Sequence, residues 1–311
     1  MLLCLATSAL KAEKAAETTG PVPVEIGVYL LDVYDLDLKN SSYVADFYIW
    51  LRWKGELDPR KFELMNGELD VKENPDEQKI GDINYVSYRV RGKFRAPFDF
   101  REFPLDEQKL TIEIEDASND AAMLEYVADL ANMSAAPQVN LSGWELAGTP
   151  SYKVVEHVYE TNYGNPRRPP DQKATYSRFV VDIPIKHGGN ELIYLKTFIG
   201  LFISVAIAFL TFLIEPIDLD PRFGVGIAGI FGAVSSMIVV SSNMPENPYF
   251  TMSDQIHFTS LAFIFLTIFV SCAVLRLYKL GFEKLSRKVD VASGVSLAVL
   301  YIVIVGVLSR V

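Results

Sequence analysis

Cysteine is scarce in this 311-residue chain, with only Cys4 near the start and Cys272 inside an apolar run. Two cysteines so placed give no disulfide framework, so an outer domain has to be large enough to bury a core of its own. Histidine is equally thin: His157, His187 and His257 stand alone, without metal-ligand spacing. No nucleophile–base pairing and no phosphate loop in a strand-to-helix setting occurs, so neither an enzyme nor a cofactor or metal site is expected. Excess positive charge is missing too. Asp and Glu number 39 against 29 Lys and Arg, a net charge of −10, which repels nucleic acid and gathers cations. That excess lies wholly in residues 1–190, with 31 acidic and 21 basic residues, while residues 191–311 hold 8 of each.

The second part has hydrophobic length instead. Four apolar segments, Leu192 to Ile214, Phe223 to Ser242, Ile256 to Leu275 and Val291 to Ser309, each approach the roughly 20 residues that cross a bilayer. The first two links are short. The third, Arg276 to Asp290, carries Arg276, Lys279, Lys284, Arg287 and Lys288 and is expected to face the cytoplasm. Four spans then put the N-terminal domain outside. Met1 to Ala16 has an apolar stretch and small residues suited to cleavage but no basic lead, and reads as a signal-peptide remnant or a disordered tail. The run Gly224-Val225-Gly226-Ile227-Ala228-Gly229 spells GxGxxG but sits inside a span with no preceding strand, so its glycines are expected to serve close helix packing.

Residues 20–190 read as an all-β sandwich. Alternation of apolar and polar residues marks half-buried strands at Val24 to Leu30, Ala45 to Lys54, Leu110 to Glu115 and Arg178 to Ile185. Asn-, Pro- and Gly-rich stretches supply turns between them. The one stretch with a hint of helical period is Ala121 to Ala131.

The segment from Ala96 to Leu110 contains Phe103-Pro104-Leu105-Asp106-Glu107-Gln108. It resembles the signature loop, FPxDxQ, of the pentameric ligand-gated (Cys-loop) ion channels. In animal members two cysteines bound this loop; here Ala96 and Leu110 hold those positions, as in the disulfide-free bacterial branch. Tyr34 to Asp37, Trp50 to Trp53, Asn243 to Tyr249, Asp254-Gln255 and the three-plus-one order of spans are similar to the same family, so the resemblance covers nearly all of residues 22–309. The first span departs from it, because Thr197 to Ile214 lacks the proline common there.

The resemblance implies a β-sandwich ligand-binding domain on a four-helix transmembrane domain, assembled as a homopentamer around a pore in a bacterial inner membrane, with residues 20–190 on the periplasmic or extracellular side. It implies that the second span lines the pore. With Arg222 at its inner end, one face recurs through Gly224, Ala228, Phe231, Ser235, Ile238 and Ser242 at the 3.6-residue period. One Phe231 per subunit would form an apolar gate that closes by dewetting; the alternative is that Phe231 packs against neighbouring helices and Ile238 closes the pore. Glu215, Asp218 and Asp220 beside Arg222 are expected to select monovalent cations, unless Arg222 faces the lumen and the acids pair with it. The resemblance also implies a small-molecule agonist, an amine in the first instance, bound between subunits under the hairpin from Tyr152 to Phe179. Tyr159 and Tyr176 flank its tip, and their ring faces attract ammonium groups. Trp50 and Arg52 would supply the opposing wall, with Tyr126, Tyr85 and Tyr88 as further candidates. Coupling to the pore falls to Leu36 to Asn40, Arg101 to Gln108, Lys186 to Glu191 and Asn243 to Gln255, among them Asp37, Phe103, Pro104, Asp106 and Pro245.

Overall fold

The computed structural model describes residues 20–309 apart from 138, 140, 142, 167, 168 and 170, so the expected signal remnant lies outside the described residues. The strands are β1 (Val22–Asp37), β2 (Ser42–Lys54), β3 (Phe62–Leu64), β4 (Gly67–Ile80), β5 (Ile83–Arg95), β6 (Glu107–Asp116), β7 (Leu124–Ala128), β8 (Ser134–Ala135), β9 (Trp144–Leu146), β10 (Ser151–Tyr159) and β11 (Ala174–His187). They form two sheets. One runs β4-β5-β2-β1-β7 with β8 beside β1, and the other runs β10-β11-β6-β3 with β9 beside β11. Among the described residues only β7 and β8 run parallel to β1; the other pairings are antiparallel.

The alternation in the sequence decides which faces meet. Ile26, Val28, Phe47, Ile49 and Val90 from one sheet and Ile112, Ile114, Phe179, Val181 and Ile183 from the other are all 0% exposed. Each buried side chain of this size contributes roughly 1.5–3 kcal/mol of transfer free energy, and together they hold the sandwich without a disulfide. Ala121 to Ala131 is not helical. Its central residues form β7, because Leu124 and Tyr126 alternate inward with Glu125 and Val127 outward and pair with Val22 and Val24 of β1.

Four helices follow: α1 (Asn190–Phe209), extended by a 3-10 turn at Leu210–Leu213, α2 (Leu219–Ser241), α3 (Met252–Lys279) and α4 (Glu283–Leu308). All four are long and apolar enough to cross a membrane. Phe265, Phe269, Ile302 and Val303 are more than half exposed, an apolar surface of the kind that lipid or a partner covers. Two helices outrun their apolar segments. Thr251 caps α3 with a capping box, its hydroxyl accepting from the Asp254 amide at 3.1 Å while Asp254 accepts from the Thr251 amide at 2.9 Å. At the other end Gly281, at φ +86°, ends the α3 turn in a conformation a side chain would resist. The basic third link is therefore mostly helix: Arg276 and Lys279 close α3, complementing its C-terminal dipole, and Lys284 to Asp290 already belong to α4.

Candidate functional site

The rotation of α2 is set by its small residues. A Cβ added at Gly226 would stand 2.6 Å from Ile268 Cγ1, and one at Gly229 would stand 2.9 Å from both the Ala208 Cβ and the Ser204 carbonyl oxygen. Gly226, Gly229 and Ala233 are buried, so the helix turns a narrow stripe towards α1 and α3. The opposite face carries Gly224, Ala228, Phe231, Ser235, Ile238 and Ser242, and all six are exposed in the protomer. Phe231 is 71% exposed and Ile238 64%, so neither packs into its own helix bundle. The two rival constrictions share one face, about 10 Å apart along the axis.

At the N-terminal end of α2 Glu215, Asp218 and Asp220 are exposed. Arg222 does not stand with them, which corrects its expected place at the mouth. It is 1% exposed; its Nε donates to the Thr211 carbonyl at 3.0 Å and its Nη2 to Asp290 Oδ1 of α4 at 2.5 Å. A guanidinium at this depth is tolerable only when paired and hydrogen-bonded, and Asp290 supplies the pairing. Among the described residues Glu215 approaches Arg287 at 3.9 Å, while Asp218 and Asp220 form no ion pair.

The β10–β11 hairpin brings Tyr159 and Tyr176 together, with ring centroids 5.8 Å apart; Tyr163 lies 5.4 Å and His157 4.5 Å from the Tyr159 ring. A network missed in the sequence holds this cluster in place. Arg178 bonds Glu115 at 2.6 Å and Glu113 at 2.5 Å and donates to the Tyr159 hydroxyl at 3.0 Å, and that hydroxyl donates to Glu115 at 2.9 Å. Burial, then the neighbouring Glu115 carboxylate, push the Tyr159 phenol up and keep it a donor. The only sequence signal was Arg178 alternating with the inward Phe179. Trp50 and Arg52 are on the other sheet. The Trp50 indole lies across Gly27, and Trp50 Nε1 and Arg52 Nη2 both reach Asp129, at 3.0 and 2.7 Å. Tyr85 is half-buried beside Arg60 and Glu77 at the rim of a cavity of about 340 Å³. Tyr88 is buried under Lys72. Tyr126 is not a ligand wall: at 2% exposure it points into the sandwich, because its place in β7 is an inward one.

The signature loop sits on the helices. The Phe100 amide donates to the Tyr249 hydroxyl at 3.1 Å, and the Met252 amide, first in α3, donates to the Arg101 carbonyl at 2.7 Å. Phe100, Val240 and Met244 form a buried cluster with Leu38, Phe98, Phe103 and Tyr249 packed on it, joining the C-terminal end of α2 to two loops of the β-sandwich. The Phe103-Pro104 peptide is cis. Asp106 is 2% exposed; one oxygen accepts from Gln108 and the other lies 3.3 Å from His187 Nε2 at the end of β11. Neither of those facing atoms has a hydrogen-bond partner among the described residues, and the Trp144 ring lies tilted against the His187 ring, centroids 3.7 Å apart. Asp37 is bound locally instead: the Asn40 side chain and amide, at 2.7 and 3.0 Å, hold its carboxyl below the usual range. Pro245 lies half-buried in the α2–α3 link. Between Asp35, Asp37, Lys93 and the α2 end at Ser242 and Asn243 runs a cavity of about 730 Å³.

No family model matches the chain. A two-sheet outer domain whose FPxDxQ loop rests on four membrane-length helices fits the architecture that the resemblance to pentameric ligand-gated ion channels implies, and the chain is a homologue of a known ion channel. That relative is a proton-gated ion channel of Gloeobacter violaceus, 24% identical over 275 residues, which cover 80% of this chain and 71% of the relative. A match of that length cannot be confined to either half. The chain is accordingly an integral membrane protein, and its homologue is a channel rather than an enzyme.

Proposed function

We propose that the chain is one subunit of a homopentameric channel that conducts monovalent cations across a bacterial inner membrane, with its N-terminal domain on the periplasmic or extracellular side. In this reading a small agonist, with an amine as the first class, binds at the subunit interface under the β10–β11 hairpin. The observation that carries the cation reading is the burial of Arg222 against Asp290. With that charge neutralised inside the bundle, Asp218 and Asp220 are left as an acidic ring at the inner mouth, and acidic rings favour cations. Phe231 supplies the apolar gate on the same helix face. The amine reading is supported by the grouped rings of Tyr159, Tyr163 and Tyr176, whose faces attract cations. Trp50 and Arg52, on the opposite sheet, would complete the site from the neighbouring subunit.

One observation favours a second agonist, the proton. Asp106 Oδ1 and His187 Nε2 face each other at 3.3 Å with no hydrogen-bond partner among the described residues, they form an ion pair only when the imidazole is protonated, and the relative is itself proton-gated. Recordings from cells or proteoliposomes during a screen of amines and pH steps, under a NaCl gradient, test both readings. The expected current reverses near the sodium equilibrium potential. Robust surface expression with no evoked current under any stimulus would instead favour a non-conducting receptor.

A further inference from the structure

We infer that Asp290, on α4, determines ion selectivity by holding the Arg222 charge out of the conduction path; this rests on the cation-channel reading above. Arg222 lies between Asp220 and Gly224, where the acidic mouth gives way to the exposed face of α2. Its side chain nonetheless runs backwards into the bundle, where its side-chain exposure is 0% and that of Asp290 6%. Asp290 is the one carboxylate within ion-pair distance of it among the described residues. The remaining support among the described residues is thin: one bond to the Thr211 carbonyl, with Nη1 buried and without a partner. Thr211 in turn shares a hydroxyl contact of 3.2 Å with Ser271 of α3, so the cluster touches every helix, but no other member carries charge.

Without Asp290 the guanidinium becomes an uncompensated buried charge, the arrangement a low-dielectric interior tolerates least. An arginine has a long apolar stem that lets its head move to water while the stem stays buried. Asp218 and Asp220, four and two residues earlier in the chain, are exposed, so that end of α2 offers the head a solvated place beside them. Each subunit would then add a positive charge to the ring that selects, cancelling one of its two carboxylates. Asp290 thus acts through Arg222, as a positioning residue that never meets an ion.

The test compares reversal potentials under a NaCl gradient for the wild type, Asp290→Asn, Asp290→Glu, Arg222→Gln and the Arg222→Gln/Asp290→Asn pair. Asp290→Asn is expected to lower the cation-to-anion permeability ratio roughly tenfold, a scale set by unit charges placed near the ion path. Asp290→Glu keeps the wild-type ratio, and the double variant restores it because the freed charge is gone. A purely structural role would not yield that restoration. Asp290→Asn channels that conduct with the wild-type reversal potential would overturn the inference. If Asp290→Asn does not reach the surface, Arg222→Gln decides: an unchanged reversal potential and single-channel conductance supports a charge already hidden from ions, and a change in either overturns it. A wild type that reverses at the chloride potential would instead sink the cation reading itself.

Discussion

Adding one methyl group to α2 at two nearby glycines tests the rotation of that helix. At Gly229 the new Cβ would meet the Ala208 Cβ and the Ser204 carbonyl oxygen at 2.9 Å. Neither is the free end of a flexible side chain, so α1 and α2 must part. Overpacking of this kind costs about 1–3 kcal/mol, and rigid neighbours place Gly229→Ala towards the upper end. Replacing glycine by alanine in a helix returns roughly 0.8–1.0 kcal/mol, which leaves a net loss of about 1–2 kcal/mol per subunit. At Gly224 nothing among the described residues lies within 4 Å of the added atom, so only the helix gain of about 1 kcal/mol remains. The assay is thermal survival of the purified oligomer by size exclusion, where about 1 kcal/mol corresponds to a shift of roughly 2–4 °C in a domain of 150–250 residues. Gly229→Ala is expected to melt several degrees below the wild type and Gly224→Ala at or above it. The reverse order would mean that α2 is rotated and its assigned open face is buried.

Other outcomes follow from single contacts. Phe231→Ala is expected to raise resting leak or agonist sensitivity in current recordings; unchanged gating would move the constriction to Ile238. Tyr249→Phe removes the acceptor of the Phe100 amide at 3.1 Å, a bond worth about 0.5–1.5 kcal/mol, and should move the agonist midpoint by roughly two- to tenfold at unaltered surface expression if that contact carries coupling. Burial raises the Asp116 carboxyl above its usual range, against the opposing bonds from Ser118 and Asn119. A folded value above the unfolded one gives stability that is present at low pH and lost as pH rises through the folded value. Asp116→Asn, which keeps an acceptor oxygen, should therefore gain melting temperature relative to the wild type as pH rises from the acid range; a pH-independent difference would contradict this.

The parts of the fold that follow from local period were legible in the sequence. Alternation located β1, β2, β6 and β11, apolar length located the four helices, and the 3.6-residue period gathered the six residues from Gly224 to Ser242 that share the open face of α2. The start of α3 was missed although its signal was present. Hydropathy discards the polar first turn, while Thr251 and Asp254 carry the capping pattern. Ala121 to Ala131 misled because a short apolar run fits either period, and pairing with β1, a long-range fact, decides for strand. For the same reason Tyr126 could not be sorted from Tyr159: one faces the core and the other the hairpin, and residue type does not tell them apart. Arg222 and Asp290 are 68 residues apart, and nothing local links them. The position of a charge in sequence put Arg222 at the mouth, and only packing revealed which way its side chain runs.

In the proposed channel α2 is the pore wall and presents the Phe231 face to the ion path. Cysteine substitution along α2 in a Cys4→Ser/Cys272→Ser background, with a charged thiol reagent applied during evoked current, measures it directly. Modification is expected to alter current at Ala228, Phe231, Ser235 and Ile238 and to leave it unchanged at Gly226, Gly229 and Ala233 wherever those variants assemble. Reactivity that follows the glycine stripe, or that shows no helical period, would contradict the account.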